Sequence, residues 1–169
     1  MEYIRYYESP LGRLTLASDG DALTGLRLPG QGNVAPPGDA EERDLPVFRE
    51  TERWLDCYFS GKAPEFTPPL RLRGTPFRRT VWEILLTIPF GRTVTYGEVA
   101  QTAAARTGAD HASARAAGGA AGQNPVALIV PCHRVVGAGG KLTGYAGGLG
   151  VKEWLLRHEA AAAGKPAEA

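Results

Sequence analysis

The sequence predicts a two-part α/β protein of the α+β type, with a small antiparallel sheet and one helix preceding a mostly helical domain. Three observations support this prediction. Short apolar segments divided by turn formers fill the first 30 residues. A stretch rich in proline follows the first amphipathic helix, and apolar residues at helical spacing recur beyond it. With 43% hydrophobic and 22% charged residues among 169, the chain is typical of globular proteins.

The N-terminal part is predicted to hold three strands and one helix. The strands cover residues 3–7, 13–17 and 23–28, and residues 31–39, with two prolines, form an exposed loop. An apolar face at helical spacing over residues 47–59 predicts a helix that begins near residues 44–46 and ends at Gly61. Cys57 lies on this helix, where we expect it to pack in the core.

A domain boundary is predicted in the segment 62–75, because Pro64, Pro68 and Pro69 prevent a long helix there. We therefore expect an N-terminal domain over residues 1–74, including this linker, and a C-terminal domain over residues 75–169.

The C-terminal part is predicted to contain a helix-turn-helix. An N-cap and a first-turn proline at residues 75–76 begin a helix that ends before Pro89. Thr95 and Glu98 have the spacing of a capping box, and that helix runs to about Gly108. Asp110 is expected to cap a further helix over residues 112–121, and two short helices joined by a tight turn are typical of this motif.

The last of these helices is unusual, because its composition is almost entirely Ala, Gly and Ser, with Arg115 as the one long side chain. Gly118 and Gly119 each cost roughly 1 kcal/mol of helix stability relative to alanine. Either the helix must approach another surface closely, such as a nucleic-acid groove, or the composition reflects a GC-rich genome.

The formal net charge of +1 hides an asymmetry along the chain. Residues 1–60 carry 11 acidic and 6 basic side chains, whereas residues 61–169 carry 7 acidic and 13 basic ones. Two explanations fit this difference: the second half of the chain faces a polyanion, or the charges are ordinary surface charges. The sequence shows neither a signal peptide nor an apolar run long enough to span a membrane, so we expect a cytoplasmic protein with free thiols.

A candidate nucleophile follows the apolar run 126–130, which is predicted to be a buried strand. Cys132 needs a group that lowers its pKa or accepts its proton. His133 is adjacent, but side chains next to each other in a strand point to opposite faces, so the pair needs a turn or a bridging water. Glu159 is a candidate to orient the imidazole. The alternative is a buried structural cysteine beside a surface histidine.

Four motifs surround the candidate nucleophile: ARAAGGA at 114–120, NPVALIVPCHRVV at 124–136, GYAGGL at 144–149 and VKEWLL at 151–156. In this order and spacing they resemble the O6-alkylguanine-DNA alkyltransferases, and the resemblance is close over residues 75–164. The resemblance implies an RNase H-like N-terminal domain and a C-terminal domain with a winged-helix-like helix-turn-helix. It also implies direct repair of DNA in a single turnover per molecule.

The resemblance further implies a role for each matching residue in the chemical step. Cys132 is the alkyl acceptor, and His133, a water and Glu159 form the relay that generates its thiolate. Asn124 is the hinge between the helix-turn-helix and the active-site segment.

Other matching residues are expected to bind DNA or the damaged base. Arg115 enters the duplex where the flipped nucleotide has left the stack, and Tyr96 acts on the neighbouring phosphate. The remaining expected contacts to substrate or DNA come from one set of residues: Arg134, Val135, Thr143, Tyr145 and Ala146. The expected partner is double-stranded DNA carrying O6-alkylguanine, with O4-alkylthymine as a second substrate, bound by a monomer; cooperative binding is left open.

No cofactor is expected, and no structural zinc, since two cysteines and three histidines lack metal-ligand spacing. Three rival functions remain. A binding protein that flags lesions without repair would lack Cys132, and an alkylation-sensing regulator would need a further segment. A cysteine hydrolase built on Cys, His and Glu would turn over repeatedly.

Overall fold

The computed structural model describes residues 2–30, 40–145 and 147–163. The described residues form two compact units. One comprises those within Met1–Arg73 together with Pro125–Ala127, and the other comprises those within Gly74–Asn124 and Leu128–Ala169. The loop predicted at residues 31–39 lies outside the described residues.

The first unit contains the predicted three-stranded antiparallel meander and one further short strand. The strands are β1 Tyr3–Ser9, β2 Gly12–Ser18, β3 Leu23–Arg27 and β4 Glu41–Glu42. Their order in the sheet is β3-β2-β1-β4, and β4 pairs with β1 in parallel, so the sheet is mixed at this edge. A strand of two residues carries no alternation, which is why the sequence did not predict β4.

One helix, α1 (Pro46–Phe59), packs on this sheet. Its buried face includes Phe48, Leu55 and Tyr58, as the helical spacing of its apolar residues predicted. The prediction for Cys57 was wrong: it is partly exposed rather than in the core, and its sulfur lies 3.7 Å from the Lys62 carbonyl oxygen. It occupies the edge of the helix, outside the face that meets the sheet.

The apolar run 126–130 is buried, but the prediction of a strand there was wrong. Val126 makes a single bridge to Leu26, through hydrogen bonds of the neighbouring backbone groups, and residues 127–129 then turn. Leu128 has a φ of +70°, in the left-handed region that side chains other than glycine rarely adopt. Apolar content alone does not distinguish a buried strand from a buried turn.

The second unit begins with α2 (Pro76–Leu85), capped by the Thr75 hydroxyl as predicted. Trp82 of this helix is buried, and its indole N–H donates to the Ala120 carbonyl oxygen at 2.9 Å. Gly74 is required here, since a Cβ at this position would lie 2.5 Å from the Trp82 ring.

The predicted helix-turn-helix is present as α3 (Tyr96–Thr107) and α4 (Ala114–Gly122), which pack against each other. The Thr95–Glu98 capping box forms, and Gly108 ends α3 with a φ of +74°. The expectation that Asp110 caps the next helix was wrong. Ser113 is the cap, its hydroxyl accepting from the Ala116 N–H at 3.0 Å, so α4 begins two residues later than predicted.

The unit is completed by α5 (Leu149–Ala163) and by β5 (Val94–Thr95), which pairs in parallel with β6 (Val135–Val136). The pairing of β5 with β6 fixes the residues immediately after the Cys-His-Arg motif to the start of α3. Among the described residues, no helix is long and apolar enough to cross a membrane.

Candidate active site

Cys132 opens a single 3₁₀ turn, Cys132–Arg134, directly after the apolar segment. The carbonyl oxygen of Val130 accepts from the Cys132 N–H at 2.8 Å and from the Asn124 side-chain amide at 2.7 Å. The same amide nitrogen lies 3.3 Å from the Cys132 sulfur, to which it donates. Asn124 is itself buried. It therefore fixes the thiol relative to its own backbone and supplies one hydrogen bond to the sulfur.

His133 and Glu159, which the sequence suggested as a pair, lie together in the interior of the second unit. His133 Nε2 is 2.6 Å from Glu159 Oε2, and both residues are buried. Burial raises the pKa of the Glu159 carboxyl, but hydrogen bonds and charge from His133 and Arg134 outweigh it and lower the pKa to about 2. A carboxylate only accepts, so Nε2 carries the hydrogen and Nδ1 of the neutral ring is a bare acceptor. Nδ1 is buried and has no hydrogen-bond partner among the described residues.

The Cys132 thiol has a pKa above its ordinary value, because burial disfavours the thiolate. Three neighbours act in the opposite direction: the Asn124 hydrogen bond, the charge of Lys152 and the Tyr145 hydroxyl. The Tyr145 hydroxyl is buried and makes no hydrogen bond of standard geometry within the described residues. At neutral pH the resting sulfur is therefore a thiol, and it needs a base to become a nucleophile.

The imidazole of His133 is suited to be that base. Burial lowers its pKa, the charges of Arg134 and Lys152 lower it further, and Glu159 acts in the opposite direction. The ring is therefore uncharged at neutral pH with a lone pair on Nδ1. A neutral thiol and a neutral imidazole are an acid and a base, and a proton can pass between them where a water bridges the two groups.

Lys152 is a further candidate functional residue that sequence reasoning missed. It is fully buried on α5, and its ammonium donates to the carbonyl oxygens of Val135 at 2.6 Å and Thr143 at 3.1 Å. Burial lowers its pKa, and the nearby Cys132 raises it. A signal was present in the sequence: Lys152, Leu155 and Glu159 have helical spacing on one face, and these are the buried residues of α5.

Tyr96 lies at the start of α3, half-buried beside Lys152. Its hydroxyl lies 3.4 Å from the Thr143 carbonyl oxygen and 3.4 Å from the Lys152 ammonium nitrogen, which lies over the Tyr96 ring. Burial raises the pKa of this phenol, and so does the nearby Cys132. The structure therefore brings Tyr96, Val135, Thr143 and Tyr145 together around the Cys132 turn through Lys152 and the thiol.

Arg115 lies on α4, and its side chain is exposed. Its helix buries Ala117, Ala120 and Ala121 against the rest of the unit. Among the described residues, no side chain lies within 4 Å of a Cβ placed on Gly119, so that part of the helix surface is open. An exposed arginine thus projects from a smooth helix.

Arg134 is not placed as expected for a residue that contacts DNA or substrate. It is buried, with its guanidinium bound to both carboxylate oxygens of Glu159 and to the Ile88 carbonyl oxygen. We correct that expectation, because the side chain points inward from the 3₁₀ turn and its donors are engaged by the protein. The resemblance had placed it among the residues that contact substrate or DNA.

Two further expectations concern Ala146 and metals. Ala146 lies outside the described residues. Within the described ranges, no three His, Cys, Asp or Glu side chains are grouped so as to hold a metal ion.

Comparison with known proteins agrees with this arrangement in both units. Residues 3–72 match the ribonuclease-like domain of 6-O-methylguanine DNA methyltransferase, and residues 76–161 match the DNA binding domain of the same enzyme. The methylated-DNA–protein-cysteine methyltransferase of Mycobacterium tuberculosis is 48% identical over 159 residues, covering 94% of this chain and 93% of the relative. That of Methanosarcina acetivorans is 44% identical over 158 residues, covering 93% and 97%.

Solved structures give the same result. The crystal structure of Mycobacterium tuberculosis OGT in complex with DNA has a TM-score of 0.83 and 46% identity, covering 95% of this chain and 94% of that one. An O6-methylguanine DNA methyltransferase from Methanococcus jannaschii has a TM-score of 0.63 and 26% identity, covering 92% and 93%. The fold and site define a two-unit protein with a helix-turn-helix and a partly exposed cysteine beside a buried His-Glu pair. The chain belongs to the 6-O-methylguanine DNA methyltransferase family.

Proposed function

We propose that this protein repairs O6-alkylguanine in double-stranded DNA by transferring the alkyl group irreversibly to Cys132, once per molecule. One observation carries the proposal. A thiol at the start of a tight turn accepts a hydrogen bond from Asn124, with a neutral His133 next to it and Glu159 behind that imidazole. This geometry supplies an acceptor, a base and an orienting carboxylate.

The chemical step requires one proton transfer and one substitution. The thiol proton passes to His133 Nδ1 through a water, because Nε2 is occupied by Glu159. The thiolate attacks the alkyl carbon in line with the bond to O6, so the S–C bond forms as the C–O bond breaks. The electron pair of that bond stays on the guanine, which takes up one proton, and this balances the proton that the thiol lost to His133. A thioether is not readily reversed to a thiol, so the protein is consumed.

The lesion must leave the base stack before it can meet Cys132, which costs a few kcal/mol. The exposed Arg115 on α4 is the candidate for filling the gap, since its planar charged group stacks and donates hydrogen bonds. A helix of Ala and Gly presents no base-reading side chains, which suits a protein that must act at any guanine. We assign to Tyr96 a contact with the phosphate beside the flipped nucleotide, and to Tyr145 and the backbone at Val135 and Ala146 the recognition of the base.

The cellular setting follows from the same proposal. Residues 1–74 and 75–169 act as the two domains of a cytoplasmic monomer that needs no cofactor. The DNA-binding surface is assigned to the second domain, whose half of the chain carries the basic excess.

The test is the intact mass of the protein before and after incubation with duplex DNA containing one O6-methylguanine. We expect a gain of one methyl group on Cys132, equal in amount to the lesions repaired. Cys132→Ser should bind the same duplex and gain no methyl group, whereas Cys57→Ser should react as the wild type does.

Two of the rival functions give different results. Lesion binding with no mass change would identify a binding protein that does no chemistry. Repair of several lesions per molecule would identify a hydrolase. Either result would overturn the proposal.

A further inference from the structure

The carboxylate of Glu159 is saturated with hydrogen bonds. Oε1 accepts from Arg134 Nε at 2.8 Å and from the Gly91 N–H at 3.0 Å. Oε2 accepts from His133 Nε2 at 2.6 Å and from Arg134 Nη2 at 3.2 Å. Proton relay through His133 uses only the contact between His133 Nε2 and Glu159 Oε2. The two contacts from Arg134 therefore need their own explanation.

Arg134 is held as firmly as the carboxylate that it binds. Its Nη1 donates to the Ile88 carbonyl oxygen at 2.7 Å, and its guanidinium carbon lies 5.7 Å from the centre of the Phe90 ring. A planar guanidinium can meet both oxygens of Glu159 and the Ile88 carbonyl at once, whereas a lysine ammonium is a single point of charge. The structure therefore builds a dedicated site for an arginine behind the His-Glu pair.

The charges of this cluster explain what the arginine does. With Arg134 positive and Glu159 negative, the buried pair is neutral, and a proton added to His133 leaves one uncompensated positive charge. Without the arginine, the carboxylate would favour the imidazolium, because an opposite charge in contact stabilises the charged form. Arg134 thus keeps Glu159 in place while cancelling most of its attraction for a proton on the ring.

We propose that Arg134 is a positioning residue that holds Glu159 and keeps His133 and Cys132 uncharged in the resting protein. The inference rests on the proposed function and deepens it. A protein that reacts once is lost if its sulfur reacts with a free electrophile. A thiol paired with a neutral imidazole reacts slowly with such compounds, since the thiolate is the nucleophile.

Other charged and titratable groups face the same cluster, and their effects must be distinguished from the effect of Arg134. Lys152, on α5, lies near both His133 and the sulfur, and it favours the thiolate. Tyr96 and Tyr145 face the sulfur. Of these groups, Arg134 is the one that binds the Glu159 carboxylate directly. Its removal should therefore change the charge state of the His133 imidazole directly, and that of the sulfur through the imidazole.

The experiment measures the rate at which iodoacetamide modifies Cys132 as a function of pH, in a Cys57→Ser background so that one thiol reacts. For Arg134→Gln we expect the midpoint of the profile to fall by about one pH unit, with roughly tenfold faster modification below it. For Arg134→Lys, which keeps the charge, the midpoint should stay close to that of the parent protein. Arg157→Gln, an exposed α5 arginine paired with Glu153, is the matched control and should leave the profile unchanged.

An unchanged or raised midpoint in Arg134→Gln would overturn the proposal. If that variant does not fold, the imidazole resonances of the Cys57→Ser protein give an independent test: His133 should be neutral at pH 7, and a protonated ring would overturn the inference. Alkyl transfer from O6-methylguanine DNA is measured in parallel by intact mass. Its absence in the wild type would refute the proposed function, while the iodoacetamide profile would still decide the role of Arg134.

Discussion

The ammonium nitrogen of Lys152 lies 2.6 Å from the carbonyl oxygen of Val135, the residue that follows the Cys-His-Arg turn. A fully buried cation is thereby tied to the backbone beside the reactive sulfur. Burying a lysine is costly unless its hydrogen bonds and charge are used. The carbonyl oxygens of Val135 and Thr143 satisfy the hydrogen bonds, and the charge lowers the pKa of the Cys132 thiol against the dominant effect of burial.

Replacing this lysine is expected to slow the reaction in a pH-dependent way. Lys152→Met keeps the volume of the side chain and removes the charge, so the pKa of Cys132 should rise. Alkyl transfer should fall roughly tenfold near neutral pH and recover at higher pH, where the thiolate forms without help. The measurement is the pH–rate profile of methyl transfer, with the exposed Lys141→Met as control. An equal loss at every pH would mean that Lys152 supports only the fold.

Arg115 is expected to matter for duplex DNA and not for the chemistry. Arg115→Ala should slow repair of O6-methylguanine in a duplex by about tenfold to a hundredfold, a loss of roughly 1.4–2.8 kcal/mol in transition-state stabilisation. Its reaction with a free modified guanine should remain within about twofold of the wild type, since nothing needs to be extruded from a stack. Equal losses on both substrates would contradict the assigned role.

Glu159 should make stability depend on pH in the acid range. Its folded pKa of about 2 lies below the ordinary value of 4.5, so its ionisation stabilises the fold above about pH 4.5. That contribution is lost as the pH falls from 4.5 towards 2. Glu159→Gln should lower the free energy of unfolding by roughly 3–5 kcal/mol at neutral pH, because Arg134 loses its partner.

Urea unfolding at a series of pH values tests this expectation. The difference in the free energy of unfolding between wild type and Glu159→Gln should narrow as the pH falls from 4.5 towards 2. Glu153→Gln, an exposed substitution on the same helix, should change stability by less than about 1 kcal/mol. A constant difference at all pH values would show that the charge of Glu159 is not what stabilises the fold.

Gly119 tests whether the smooth surface of α4 serves DNA binding. Gly119→Ala should stabilise the protein by roughly 0.5–1 kcal/mol, because alanine favours the helix and its Cβ meets no neighbouring atom of the described residues within 4 Å. The same methyl group should weaken binding to duplex DNA if α4 enters a groove closely. Thermal unfolding and DNA affinity are measured on the same variant. A more stable protein with unchanged affinity would favour the explanation from genome composition.

The sequence predicted the elements whose signals are local. The Thr95–Glu98 capping box and the Thr75 cap lie where their spacing indicated, because a cap is defined within four residues. The prediction of Asp110 as a cap failed, because Ser113 is an equally good capping residue and the turn between the helices decides which one is used. The turn over residues 127–129 failed because the positive φ of Leu128 has no signature in the sequence.

Only part of the site was predicted, because the rest depends on contacts between residues far apart in the chain. His133 and Glu159 were paired correctly in space, since a base next to a nucleophile needs a carboxylate. Arg134 was expected to contact substrate or DNA and Lys152 was given no role, because charged side chains are rarely buried. Their burial depends on contacts with Ile88, Val135 and Thr143, which lie between 9 and 46 residues away along the chain.

The bridge between Leu26 and Val126 has a consequence for how the protein is made. The first unit takes one of its segments, Pro125–Ala127, from late in the chain, and that segment hydrogen-bonds to the backbone of Leu26 at the β3 edge. A nascent chain that has emerged only as far as α1 holds every strand of the sheet but leaves these backbone groups of β3 unpaired. Completing the first unit therefore waits until most of the protein has left the ribosome, and during that interval the exposed edge is open to pairing with other chains.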